Sequence, residues 1–199
     1  MTPIRTLLLA AGVAGLAACA STPQESATTA TTGATSAAQA PTAMATASTV
    51  HNARVNLSAA SGSLVSGTLD VMAMGDGLHL TGEIGGLTPN GTHAIHIHEK
   101  GDCSAADATS AGGHFNPHGN PHGRAGHGAH HGGDMDNIVA DAEGVARVDV
   151  HAMGVVLGGG APNDALGKAV IVHGGADDYT SQPTGDAGNR IACGIIRAQ

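Results

Sequence analysis

The chain has no tryptophan, one phenylalanine and one tyrosine. A core built around large rings is excluded, so Val, Ile, Leu, Met and Ala must fill the interior. Basic residues are scarce too: 8 Lys+Arg against 16 Asp+Glu leave a net charge of −8. That balance excludes a nucleic-acid binder driven by phosphate neutralisation. The apolar run from Thr6 to Leu16 is too short to cross a bilayer, which takes about 20 residues. With 31 Gly and 8 Pro, a helical bundle is excluded as well, because each interior Gly costs a helix roughly 1 kcal/mol. What is abundant is histidine, at 13 of 199 residues. Imidazole is the commonest metal-ligand side chain, so the composition already points to metal.

The N-terminus reads as an address. Arg5 is the only charge before the apolar run, and small residues follow, as in a secretory signal. The run ends Leu16-Ala17-Ala18-Cys19, which resembles a bacterial lipoprotein signal: residues 1–18 are removed and Cys19 is lipidated. An ordinary signal peptide cut after an Ala-x-Ala-like site is the alternative. Residues 19–50, rich in Ala, Thr and Ser, carry one charge, Glu25, and no apolar period. They are expected to form a flexible tether reaching roughly 30 Å. The folded domain is then residues 51–199. Its two remaining cysteines, Cys103 and Cys193, imply one disulfide in an exported protein; a reactive thiol is the other reading.

Short period-2 or apolar runs recur between Gly-containing breaks. They predict strands over 53–58, 63–74, 77–84, 92–98, 138–142, 145–152, 168–173 and 191–197. Asp76-Gly77 and Glu143-Gly144 sit where hairpins turn. About eight strands and no helix predict an all-β fold, a Greek-key sandwich or flattened eight-stranded barrel. Residues 99–136 and 174–190 fit no strand. The first stretch is rich in His, Gly and Asp, and a metal would order it.

His96 and His98 lie two apart at the end of a predicted strand and so share a face, with Ile95 and Ile97 on the other. Alone this is half a metal site. Gly113-His114-Phe115-Asn116-Pro117 follows, then His122, His131 and Asp134. Later come His173 with Asp177, and Gly188-Asn189-Arg190-Ile191-Ala192-Cys193-Gly194. In order and spacing these segments resemble the bacterial copper/zinc superoxide dismutases, from about residue 51 to the end.

The resemblance implies an enzyme that converts superoxide to oxygen and peroxide by copper redox cycling, with zinc structural. It implies a copper set of His96, His98, His114 and His173, and a zinc set of His114, His122, His131 and Asp134. His114 belongs to both sets and takes and gives a proton. Asp177 would hydrogen-bond one ligand of each metal, and Arg190 would receive the anion. Cys103 and Cys193 match the family disulfide, and the two long loops match its metal-binding and electrostatic loops. Three His and an Asp suit a closed zinc site, and imidazoles with an open face suit a cycling copper.

The chain's negative charge repels superoxide, so steering must be local. Arg190 is the expected contributor, with Lys100 as a possible helper. His118, His127 and His130 are extra imidazoles in the zinc loop, either solvated or used to capture metal, and His130 competes with His131 for the zinc register. His93 resembles the family's structural His. His51, His79 and His151 are most simply surface residues, and Met72, Met74 and Met153 most simply fill gaps. The rival function is a non-catalytic copper/zinc buffer on the same fold. The expected location is periplasmic, anchored to a membrane through Cys19, with a homodimer possible.

Overall fold

The computed structural model describes residues 43–199. The expected signal peptide (1–18) and Cys19 lie outside the described residues, as does most of the expected tether. Within them the fold is all-β: ten strands and a single 3-10 turn at Thr109–Ala111. In chain order the strands are β1 (Asn52–Ala59), β2 (Ser66–Ala73), β3 (Gly77–Gly85), β4 (Thr92–His93), β5 (Ile95–His98), β6 (Ile138–Val139), β7 (Ala146–Met153), β8 (Ala169–His173), β9 (Arg190–Ile195) and β10 (Arg197–Ala198).

The main sheet runs β5-β8-β9-β1-β2-β3-β7, all antiparallel, with β10 also paired to β1. Its two edge strands are joined by the short β4–β6 pair, since β4 leads into β5 and β6 bridges to β7 through Ala140 and Ala146. The sheet thus rolls into a nearly closed eight-stranded barrel with Greek-key crossovers. Closing a sheet in this way removes exposed edges.

Period-2 alternation forms these strands. In β7 the residues Ala146, Val148, Val150 and Ala152 are buried, and Arg147, Asp149 and His151 are exposed. In β1, Ala53, Val55 and Leu57 face in. The interior is packed by aliphatics such as Leu69, Leu78, Leu80, Ile84, Ile95, Ile97 and Leu157, with Phe115 its only large ring.

Two expected strands are split. Ala94 interrupts the 92–98 run, because its N–H goes to Gly175 and its carbonyl to His173 rather than to a ladder. Ile196 interrupts the C-terminal run, pairing with Lys168 and Gly167. Strand β2 starts at Ser66 rather than 63 because Ser63 turns to Ala60 and Ile191. Upstream of β1, Ala45, Ser48, Thr49 and Val50 hydrogen-bond to Asn163 and Leu157. These contacts fall in the stretch expected to be tether.

The half of the sheet formed by β5 and β8 differs from the rest, since every residue of both strands is buried. Their inner face joins the main core through Ile95, Ile97, Val170 and Val172. Their outer face is covered by loops. A second small apolar cluster of Ala60, Ala108, Ala111, Ala169, Ile171 and Cys193 lies there, under the Cys103–Cys193 disulfide. That bond closes 90 residues of chain.

Candidate metal centre

His96 and His98 stand on the outer face of β5 because the β-branched Ile95 and Ile97 occupy the inner face. His173 ends β8 on the same side as Ile171, beside a bulge between Val172 and His173. His114 arrives from the loop. Residues 111–115 run alongside β5, with Glu99 N–H donating to Gly113, Lys100 N–H to Ala111 and Phe115 N–H to Ile97. On the other side of Phe115, Gly133 exchanges bonds with Phe115 and Ile97. Any side chain at 133 would collide with the Ile97 carbonyl, so the loop carrying His122, His131 and Asp134 approaches β5 at closest range.

All of the expected ligands come together. His96, His98, His114 and His173 form one buried group, and His114, His122, His131 and Asp134 a second. Within each group, one ligand atom per residue lies within 4.8 Å of the others. His114 belongs to both: its Nδ1 is 2.8 Å from Asp134 Oδ1, while its Nε2 has no hydrogen-bond partner. His131, not His130, enters the second group; His130 Nδ1 turns instead to the His131 carbonyl.

Hydrogen bonds fix which nitrogen is free. His98 Nδ1–H donates to Gly112 O at 2.9 Å, His173 Nδ1–H to Gly188 O at 3.3 Å, and His96 Nε2–H to Asp177 Oδ2 at 2.8 Å. The opposite nitrogens, His98 Nε2, His173 Nε2 and His96 Nδ1, are buried and unpartnered, as is His114 Nε2. An unsatisfied buried polar atom costs about 1–3 kcal/mol. Four such atoms in one buried histidine group mark a place for a cation bound by nitrogen.

The second group fits a smaller cage. The Nδ1 atoms of His114, His122 and His131 lie 2.8, 3.1 and 3.3 Å from Asp134 Oδ1. A tetrahedron with bonds of about 2.0–2.1 Å has edges of about 3.3 Å, the size of a closed zinc site. The donor sets therefore fit the two implied metals.

The surrounding residues hold the rings in place. The buried carboxylate of Asp177 accepts from His96 with one oxygen and from His122 Nε2 with the other, at 2.8 and 2.9 Å. Asp134 Oδ2 accepts from the His131 and Gly123 N–H groups. Three residues that the spacing did not reveal complete the frame. Asn137 exchanges two bonds with the Asp177 backbone, Tyr179 N–H donates to Asp177 Oδ1, and the Gln182 amide clasps the His122 backbone through both its atoms. Gly185 sits so close to Asp177 that a Cβ would collide with the carboxylate.

Burial dominates the proton equilibria. It pushes His98 down to about 2 and His173 to about 3, helped by the neighbouring imidazoles. It holds His114 down at about 4 against the pull of Asp134. Burial would lower His122 as well, but hydrogen bonds to Asp134 and Asp177 overcome it and raise the ring to about 9. Burial would raise both carboxylates, yet their histidine partners hold Asp134 and Asp177 well below the usual range.

Arg190, at the start of β9, is half-buried beside the first group. Its guanidinium donates to Ala108 O and Gly112 O at 2.7 Å each, and Gly112 O is also the acceptor for His98. Two of its five N–H donors are thereby committed to positioning. Lys100 is exposed in the rim loop. His93 is buried and donates to the His173 carbonyl from behind. His118 bonds the Gly154 carbonyl, and His127 is exposed.

The chain is similar to known proteins over most of the described residues. The family described as copper/zinc superoxide dismutase (SODC) matches residues 65–196. A Superoxide dismutase [Cu-Zn] 2 from Aquifex aeolicus is 40% identical over 136 residues, covering 67% of this chain and 80% of the relative. The Caulobacter vibrioides Superoxide dismutase [Cu-Zn] is 39% identical over 137 residues, covering 66% and 78%. An Extracellular superoxide dismutase [Cu-Zn] from Brugia pahangi is 39% identical over 141 residues, covering 66% and 69%. Among solved structures, a variant of a SOD-like protein from Bacillus subtilis superposes with a TM-score of 0.66 at 36% identity, over 73% of this chain and 97% of that one.

Proposed function

The chain belongs to the copper/zinc superoxide dismutase family, and on that premise we propose that it disproportionates superoxide: two superoxide anions and two protons give oxygen and hydrogen peroxide. The observation that carries this reading is the ring of His114, turned toward the histidine group by Nε2 and toward the Asp134 group by Nδ1. His96, His98, His114 and His173 would hold copper; His114, His122, His131 and Asp134 would hold zinc. Bound copper supplies one-electron cycling and bound zinc a redox-inert charge.

The chain's own residues do the rest. Arg190 offers its uncommitted N–H donors to the incoming anion, because a guanidinium stays charged and forks toward oxygen. His114 Nε2 takes up and returns a proton for peroxide. His98 and His173 are locked by backbone carbonyls so that their Nε2 atoms stay unprotonated, and Asp177 keeps His96 and His122 from turning. The burial of all four rings of the first group excludes bulk water.

A second reading, a non-catalytic copper/zinc buffer, draws on the Bacillus neighbour, whose description says SOD-like rather than dismutase. It predicts tight metal binding without turnover. The deciding experiment is dismutase assay of the purified chain loaded with one copper and one zinc. Catalysis supports the enzyme; full metal occupancy with no catalysis overturns it. Export is favoured by the Cys103–Cys193 disulfide, which oxidising compartments preserve. Removal of residues 1–18, a lipid anchor on Cys19 and a tether ahead of the domain extend this reading; mass spectrometry of the mature N-terminus tests them.

A further inference from the structure

Away from the buried groups, the register of β3 and β7 joins His79 and His151, which sequence reading left as surface residues, with Asp149, which it did not single out. His79 on β3 pairs with His151 on β7, and Thr81 pairs with Asp149. Leu78, Leu80, Val148 and Val150 take the inner face, so the ligating side chains all stand outside. The two imidazoles stack face to face, with centroids 4.3 Å apart and planes 4° from parallel. His79 Nε2 lies 2.7 Å from Asp149 Oδ1. One ligand atom from each of the three falls within 4.8 Å of the other two. Met72 of β2, the register partner of His79, extends the row and is exposed. Asp149 and His151 also line a groove shared with Asp76 and Asp136.

We propose that His79, His151 and Asp149 form a third metal site, on the open face of the barrel, for a borderline divalent ion, zinc(II) or copper(II). Neighbouring strands hold the two side chains in register, so one ion reaches both once the stacked rings turn about their side-chain bonds, without backbone movement. Imidazole selects zinc and copper over magnesium and calcium, and the carboxylate offsets one of the ion's two charges. The groove's carboxylates and the chain's charge of −8 draw cations toward it. Because Asp149 is 77% exposed, this ion exchanges freely with solvent, unlike ions in the buried groups.

The test uses the full chain with its buried groups already loaded. It is titrated with zinc(II) by calorimetry and with copper(II) by electron paramagnetic resonance. One further equivalent should bind. His79→Gln should weaken it at least about tenfold, and His79→Gln with His151→Gln should abolish it, with dismutase activity unchanged. The pair His118→Gln and His127→Gln should keep it. If the double variant at 79 and 151 folds poorly, Asp149→Asn leaves both rings in place and should still weaken the ion. The proposal falls if the wild-type chain binds no further equivalent, if the variants at 79, 149 and 151 bind it undiminished, or if the pair at 118 and 127 abolishes it.

Discussion

On β7 the outward positions Arg147, Asp149 and His151 meet solvent, whereas on β5 the outward positions His96 and His98 are fully buried. Both strands alternate with period two and both send ligating side chains outward, so the strand pattern does not distinguish them. The loops do. Residues 99–137 and 174–189 roof β5 and β8, and nothing comparable among the described residues roofs β3 and β7. The roof is held by a disulfide, a small alanine-rich cluster and hydrogen-bonded imidazoles, with Phe115 and Met135 anchoring it in the core. The barrel is therefore ordered by apolar burial, and its roof also by covalent and polar links that metals would complete.

The largest effect should separate His114 from His151. His114→Ala should reduce dismutase activity to the background of free copper, because it removes a ligand from both groups. His151→Ala should leave activity intact; equal losses in the two variants would erase the distinction between roofed and open faces. Next is the disulfide. Replacing Cys103 and Cys193 with Ser should cost up to about 4–5 kcal/mol in denaturant unfolding, since the bond closes a 90-residue loop. Proteolysis should then begin within residues 99–113 while β1, β2 and β3 stay protected.

Acidity should strike the roofed half of the metal-free chain. His98, His114 and His173 fall from 6.5 to about 2, 4 and 3 in the fold. Below pH 6.5 the unfolded chain takes up protons that the native state refuses, and each ring costs about 1.4 kcal/mol per pH unit until its folded value is reached. His122, raised to about 9, has the opposite sign: its contribution is complete below 6.5 and is lost between 6.5 and 9. Metal-free stability should therefore peak near pH 6.5, as denaturation across pH would show; a flat profile would count against the buried neutral rings. The smallest effect is Asp177→Asn, which should weaken metal retention 10- to 100-fold, read by competition with a chelator. Asp149→Asn should leave the buried ions untouched.

The sequence made the strands legible wherever alternation ran uninterrupted, as in β1 and β7, and the two ligand groups wherever the order of His114, His122, His131 and Asp134 matched a known family. It concealed features that depend on distant partners. Ala94 looks like any strand residue, and only the carbonyl of Gly175 makes it a break. Asn137, Tyr179 and Gln182 carry no spacing signal, because their role is set by Asp177 and by the His122 backbone. Residues 45–50 have no apolar period, yet their backbone and a serine hydroxyl find Leu157 and Asn163. The His79–His151 pair is invisible along the chain, since 72 positions separate residues that the strand register sets ring on ring.

The carboxylate of Asp177 grips one histidine from each group with its two oxygens. It makes the two binding equilibria partners in a single thermodynamic cycle. An ion held by His122 would fix the ring whose Nε2–H Asp177 accepts, and through that carboxylate would bear on the orientation of His96. Whatever factor the first guest adds to the affinity for the second, the second must return to the first. Occupancy of either group would therefore bear on the other, whichever is filled first.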